Sequence, residues 1–168
     1  MTVIEGRADI DDVGAFVAEL DRIGERHGVT VQAFDARYVV DRAHLERAVA
    51  LAQRARERGE TIADDFGVEI LLYAAGRRQI NRALEMGVSE GACPVVAVVV
   101  GSGTGRQSDE AAAAAALEKR LAPAETLGDY DEQRVRDFFD VTDTELAATE
   151  GTLADAVRER VALLVVEK

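Results

Sequence analysis

The sequence predicts a single α/β domain of two layers, in which a central mixed sheet is flanked by helices. The chain has 168 residues, which is close to the usual size of one domain. Several segments repeat apolar residues at helical spacing, and residues 93–100 form a continuous Val-rich run typical of a strand covered on both faces. No repeat or linker divides the chain, so residues 1–168 are expected to form one domain.

The first half of the chain alternates strands with helices that begin at acidic capping residues. A helix start is expected where an Asp precedes a periodic apolar segment, and a stop where Gly follows it. The expected elements are a strand over residues 3–8, a helix from Asp11 or Asp12 to Gly28, a strand over residues 29–34, and a helix from Asp41 to about residue 58.

The next pair of helices is expected on either side of Gly76. Residues 66–75, after Asp64 or Asp65, are apolar nearly all round apart from Glu69, which predicts the most buried helix of the fold. A second short helix is expected over residues 77–86, with Ile80 and Leu84 facing inward. Together they predict a helix-turn-helix-like pair.

The second half continues with more helices than strands. The expected elements are a strand over residues 93–100, an Ala-rich helix over 109–121, a possible edge segment over 122–127, helices starting at Asp131 and Thr142, a helix from 153 to about 160, and a terminal strand over 162–166.

The charge of the chain is strongly acidic, at −12, but it does not by itself exclude an anionic partner. The chain has 18 Arg, only two Lys (Lys119 and Lys168) and 32 carboxylates, which is typical of a protein adapted to a salt-loaded cytoplasm. In molar salt the Debye length falls to roughly 3 Å, so the carboxylates are screened. Residues 37–82 hold nine Arg and seven acids, a net charge of +2, so an anionic partner is expected there. The alternative is that these Arg residues pair with acids on their own helices.

The sequence lacks the residues that several classes of function require. No secretory leader or membrane-spanning run is found, and Cys93 is the single cysteine, so a cytoplasmic protein without disulfides is expected. His27 and His44 lie on different predicted helices, which predicts neither a metal site nor a nucleophilic triad, and His44 is expected at the surface or half-buried. We therefore expect no cofactor, no metal, no membrane partner and no DNA partner.

Two features leave alternatives open. Gly101, Gly103 and Gly105 follow a predicted strand and precede a helix, where a nucleotide-binding loop would lie, but their spacing is GxGxG and not GxGxxG. A flexible turn is favoured over a small nucleotide-dependent enzyme. Glu69 is either a general base or, as we favour, a structural carboxylate that accepts backbone N–H groups or pairs with Arg77 or Arg78.

The segment of residues 62–84, IADDFGVEILLYAAGRRQINRAL, resembles the small regulatory, PRPK-binding (TPRKB-like) subunit family of the KEOPS tRNA-modification complex. Residues 153–164, and the helix that carries His44, are similar to the same family. The resemblance implies a non-enzymatic subunit that binds the small atypical kinase of KEOPS and the single-stranded 3′ CCA end of tRNA, in support of threonylcarbamoyladenosine (t6A) modification.

The resemblance also implies where tRNA would bind. The turn of residues 75–80 matches a family stretch of Ala-Ser-Gly-x-x-Gln-Ile, although Ala75 lacks the hydroxyl and Arg78 is unusual. The expected tRNA contacts are Ala75, Gly76, Arg77, Arg78, Gln79 and Asn81, with Glu69 as structural support. Arg can stack on bases or contact phosphate, and amides can read base edges. The alternative is that the Arg residues are solvated and that Gln79 is a helix cap. Leu84 and Met86 are the expected kinase contacts, although Met86 also suits a core gap.

Overall fold

The computed structural model of the chain describes residues 1–101 and 109–167, with side chains as far as Val165. Its sheet has three strands, β1 (Thr2–Ile10), β2 (Val29–Asp35) and β3 (Gly91–Gly101), in the order β1-β3-β2. Both pairings are antiparallel, with Ile4 opposite Ala97 and Gln32 opposite Val98. The predicted α/β class with a central sheet and flanking helices is confirmed, and the sheet is antiparallel where a mixed one was expected.

The helices begin close to the expected capping residues. Asp12, Asp41, Asp65, Asp131 and Thr142 each accept a backbone N–H at the start of a helix. The helices are α1 (Val13–His27), α2 (Arg42–Glu57), α3 (Phe66–Ala75), α4 (Ile80–Ala83), α5 (Glu110–Glu118), α6 (Glu132–Phe139), α7 (Asp143–Ala148) and α8 (Leu153–Glu167), with 3₁₀ turns over Ala36–Tyr38 and Leu84–Met86.

Strand β3 is the centre of two hydrophobic clusters, one on each face of the sheet. On one face, Val95, Ala97 and Val99 pack with residues of α1 and α5. On the other face, Val96, Val98 and Val100 pack with residues of α2, α3, α6 and α8. Residues 95–100 are all buried, as expected for a strand covered on both faces. Helices therefore lie on both faces, which makes three layers and not the expected two.

The end of the chain differs most from the prediction. Residues 162–166 were expected to form a strand, and they continue helix α8 instead. Leu153, Val157, Val161 and Leu164 are buried at spacings of four, four and three, which is the period of a helix. The β-branched residues near the end of the chain favoured a strand locally, but packing of this apolar stripe against α2 and α3 overrides that preference.

Three smaller differences concern element boundaries. Helix α4 begins at Ile80 and not at Arg77, α5 ends at Glu118, and the possible edge segment of residues 122–127 is reduced to one bridge between Arg7 and Ala122. Of the glycine-rich loop, Gly101 is the last residue of β3, whereas Gly103 and Gly105 lie outside the described residues.

Candidate functional site

Gly76 forms the turn between α3 and α4. Its φ of 61° is left-handed, and the N–H groups after α3 bond back to the carbonyls of Leu72 and Tyr73. A Cβ on Gly76 would lie 3.2 Å from the backbone oxygen of Arg160 on α8. Glycine suits this position for two reasons, since it adopts the left-handed conformation at no steric cost and allows α8 to approach the turn.

Arg77 is directed toward the end of α6. Its guanidinium donates to the Phe138 carbonyl, lies 3.4 Å from the Asp140 carboxylate, and lies 5.2 Å from the centroid of the Phe138 ring. The side chain is half-buried. Arg160 donates to the carbonyls of Phe139 and Asp140 in the same region. Arg77 therefore fixes the turn against α6, which is a structural role that the sequence did not indicate.

Arg78, Gln79 and Asn81 are the expected tRNA contacts that the turn exposes to solvent. Gln79 is the residue before α4, and its side chain makes no capping hydrogen bond, so the capping alternative is not seen. Ala75 is buried at the end of α3 and its methyl group faces the core. Helix α4 is a single turn that starts at Ile80, so no helix begins directly after Gly76.

A groove of about 510 Å³ runs beside the turn, between the segment of residues 82–85 and α6. Arg82, Arg134 and Tyr38 line it together with the carboxylates of Glu85, Asp131 and Asp137. The Arg134 guanidinium lies 5.5 Å from the centroid of the Tyr38 ring. Tyr38 and Arg134 could not be grouped from the sequence, because 96 positions separate them and only the fold brings them together.

Glu69 is buried in α3 and has a structural role. Its carboxylate accepts the N–H of Ile62 at 2.9 Å and that of Ala63 at 2.8 Å. Of the alternatives for Glu69, the structure therefore shows the structural carboxylate that accepts backbone N–H groups. These bonds fix the segment that leads into α3 and not the Gly76 turn. Among residues 1–101 and 109–167, no group of His, Cys, Asp and Glu could hold a metal ion.

His44 lies beneath the end of α3, and its expected surface or half-buried position was wrong. The imidazole is fully buried, its Nε2 lies 2.7 Å from the Ala74 carbonyl oxygen, and its Nδ1 accepts the Val40 N–H at 3.3 Å. Nε2 is therefore the protonated nitrogen, because it faces a carbonyl. Burial lowers the pKa of His44 to about 4. The neutral ring thus joins α2 to the carbonyl that directly precedes Ala75.

The expected kinase contacts have different environments. Leu84 is 57% exposed, whereas Met86 is 0% exposed and fills the core, so Met86 is not available for contact with a kinase. Ile80 is 48% exposed, and the expectation that Ile80 and Leu84 face inward was wrong. The reason is that Ala83 and Met86 supply the buried side of this segment, which leaves its other side in solvent. We call Ile80 and Leu84 the apolar patch.

Within the described part of the chain, no helix is long and apolar enough to cross a membrane. No curated protein matches the sequence. A family model described as kinase binding protein CGI-121 matches residues 10–164, from the last residue of β1 into α8. This match covers most of the chain and includes the Gly76 turn, the apolar patch and the groove. The resemblance to the PRPK-binding subunits is confirmed, and the chain belongs to the CGI-121 family of kinase-binding proteins.

Proposed function

We propose that this chain is a non-catalytic subunit of a KEOPS-type complex, which binds the complex's small atypical kinase and the 3′ CCA end of tRNA in support of t6A modification. The observation that carries the proposal is the family match over residues 10–164, because it gives the kinase as a partner. The tRNA contact is the finer part of the proposal and depends on the surface around Gly76.

The surface around Gly76 has the chemistry that single-stranded RNA requires. Gln79 and Asn81 present exposed amides, which can bond to the edges of unpaired bases. The adjacent groove adds an aromatic ring and two guanidinium groups, from Tyr38, Arg82 and Arg134. Bases stack on such planes with roughly 1–3 kcal/mol each, with little dependence on sequence. These groups favour a short unpaired end over a duplex.

Ion pairing limits any general attraction to phosphate. Arg42 lies 3.7 Å from Glu46 within α2, and Arg82 of α4 lies 3.7 Å from Glu85 of the 3₁₀ turn that follows it. The expectation that Arg residues of this region pair with nearby acids is thus met for these two. Because such exposed pairs offset much of the local positive charge, binding of RNA here would depend on shape, stacking and hydrogen bonds.

Two amide substitutions test the tRNA part of the proposal. We expect the double variant Gln79→Ala/Asn81→Ala to weaken tRNA binding in high salt by about thirtyfold, since two lost base contacts at ~1 kcal/mol each sum to ~2 kcal/mol. Arg54→Ala, on the exposed side of α2, is the matched control and should leave binding unchanged. Arg56 is a poorer control because its guanidinium lies 3.8 Å from the centroid of the Phe66 ring. Equal losses in the double variant and Arg54→Ala would contradict a site at the turn.

The apolar patch gives the kinase part its own test. Exposed large apolar residues that lie together are typical of protein contacts, and a buried Leu at an interface contributes about 1–3 kcal/mol. We expect Leu84→Ser to reduce affinity for the kinase at least about tenfold. Val17→Ser removes a side chain of similar exposure from α1 and should have no effect. Retention of full kinase affinity by Ile80→Ser/Leu84→Ser would exclude the patch.

A further inference from the structure

A groove of about 360 Å³ lies between α1 and α5. The two helices run antiparallel, since the Asp109 N–H before α5 bonds to the His27 carbonyl at the end of α1, whereas Arg120 bonds to Glu19 in the middle of α1. Both helices pack on the face of the sheet opposite to the one that α3 covers. The groove is therefore remote from the Gly76 turn.

The groove is positively charged, although the whole chain carries a charge of −12. Its one carboxylate belongs to Glu19, and its four cationic side chains belong to Arg22, Arg26, Lys119 and Arg120, which gives a formal charge of +3. The acids next to these residues in the sequence, Glu25 and Glu118, line other grooves. The helices thus separate the two signs of charge, and we call this surface the basic groove.

Glu19 holds two of the four cations in place. Its carboxylate accepts a hydrogen bond from Arg22 at 2.8 Å and another from Arg120 across the groove. A guanidinium has five N–H donors, so both Arg side chains keep donors for a further acceptor. Because Glu19 already orients them, a ligand has less side-chain motion to restrict when it binds.

Arg26 and Lys119 are the cations of the groove without an acidic partner. Within residues 1–101 and 109–167, neither side chain makes an ion pair or a hydrogen bond. Arg26 also lies one turn from Arg22, and like charges at this spacing destabilise a helix. Attraction to the helix ends favours a cation at each position, but it does not require the two to line one groove. Features that break a local rule in this way are expected at functional sites.

The composition of the groove favours phosphate as its ligand. Planar guanidinium groups bind phosphate oxygens in pairs, and a phosphate group carries up to two charges where a carboxylate carries one. Arg22 and Arg26 lie about 6 Å apart along the helix axis, which is enough for two linked phosphate groups. Among the described residues that line the groove, none is aromatic, so a base would find no ring to stack on.

We propose that the basic groove binds a chain of two or more phosphate groups. Arg26 and Lys119 are the main ligands, and Arg22 and Arg120 supply further N–H donors. Two sources share this chemistry, a free diphosphate and the backbone of single-stranded RNA, and two probes distinguish them. The site does not depend on the proposed tRNA contact, because the sheet lies between the groove and the Gly76 turn.

Binding of inorganic diphosphate to the intact protein is the first test, by calorimetry at the lowest KCl concentration that keeps the protein folded. We expect one saturable site, and a loss of at least about tenfold in Arg26→Gln/Lys119→Gln. Arg26→Lys/Lys119→Arg keeps both charges and should stay within about threefold of wild type. Arg47→Gln/Arg58→Gln, an equal change of charge at exposed positions, should bind normally. Circular dichroism checks that each variant is folded.

A ten-nucleotide oligouridine, which lacks a CCA end, is the second probe. If only this RNA binds, and Arg26→Gln/Lys119→Gln weakens it at least about tenfold, the RNA backbone is the source of the phosphates. With either probe, the amide signals of Ile23 and Ala116 should shift in NMR spectra. Absence of binding by both probes, equal losses in the two Gln variants, or shifts confined to the Gly76 turn would overturn the proposal.

Discussion

His44 shows how one buried side chain supports a surface turn. Its ring bonds to the Val40 N–H and the Ala74 carbonyl, so it connects the start of α2 to the end of α3. Asp41 caps α2 in the same place by accepting the N–H of His44. If this connection were lost, the Ala74 carbonyl would lose its partner. We then expect the turn at Gly76, and with it the position of Gln79, to shift.

Replacement of His44 by Leu tests this role. We expect His44→Leu to lower the free energy of unfolding by about 2–5 kcal/mol at pH 7, because two buried polar groups lose their partners. His27→Leu, at the end of α1, should cost less than about 1 kcal/mol. Urea denaturation gives both values. A cost at His44 no larger than at His27 would contradict the connection.

The pKa of His44 predicts a pH dependence of stability. The folded pKa of His44, about 4, lies below the ordinary histidine pKa of 6.5, so the unfolded chain binds a proton on His44 first as pH falls. The contribution of the neutral ring is therefore complete above pH 6.5 and is lost as pH falls through about 4. The stability difference between wild type and His44→Leu should shrink over this window. NMR titration of the imidazole should give a midpoint near 4, and a midpoint near 6.5 would contradict burial.

Residues that act locally could be predicted from the sequence, and residues that act across the fold could not. The capping roles of Asp12, Asp41 and Asp65 depend on the next three residues, which the sequence shows directly. The partners of His44 and Arg77 are 30 and 61 positions away, respectively. Met86 lies in the core, which is the alternative use that the sequence left open for it.

Helix α8 is the element in which local preference and packing disagree. A strand over residues 162–166 would place Leu163 on the same face as Val161, whereas the helix buries Val161 with Leu164 and leaves Leu163 43% exposed. Elements with one clear period, such as α2 and α3, were predicted within one or two residues. The apolar residues 161–166 fit both periods, so the sequence alone could not decide.

Two neighbouring leucines test the helical assignment of α8. Leu164→Ala should lower the free energy of unfolding by about 2–5 kcal/mol, since Leu164 is 1% exposed and its loss leaves a cavity. Leu163→Ala should change it by less than about 1 kcal/mol. Urea denaturation of the two variants measures both free energies of unfolding. A larger cost at Leu163 than at Leu164 would favour the strand.

The acidic surface is a property of the whole molecule. The chain carries 32 carboxylates against 20 basic residues, and their repulsion is screened in molar salt but not in dilute buffer. We expect the thermal midpoint to fall as KCl is reduced from multimolar to low concentration. A loss of ~2 kcal/mol would lower it by roughly 4–8 °C. Equal midpoints at both concentrations would contradict adaptation to salt.

The same salt makes tRNA binding the most direct test of the proposed function. Attraction by counterion release becomes small in multimolar KCl, so binding that persists there must depend on stacking and hydrogen bonds at unpaired bases. The decisive measurement is therefore a titration of the protein in multimolar KCl with intact tRNA and with tRNA that lacks its 3′ CCA end. We predict saturable binding of intact tRNA and a loss of at least about tenfold on trimming. Equal affinity for the two tRNAs would contradict a CCA site at the Gly76 turn.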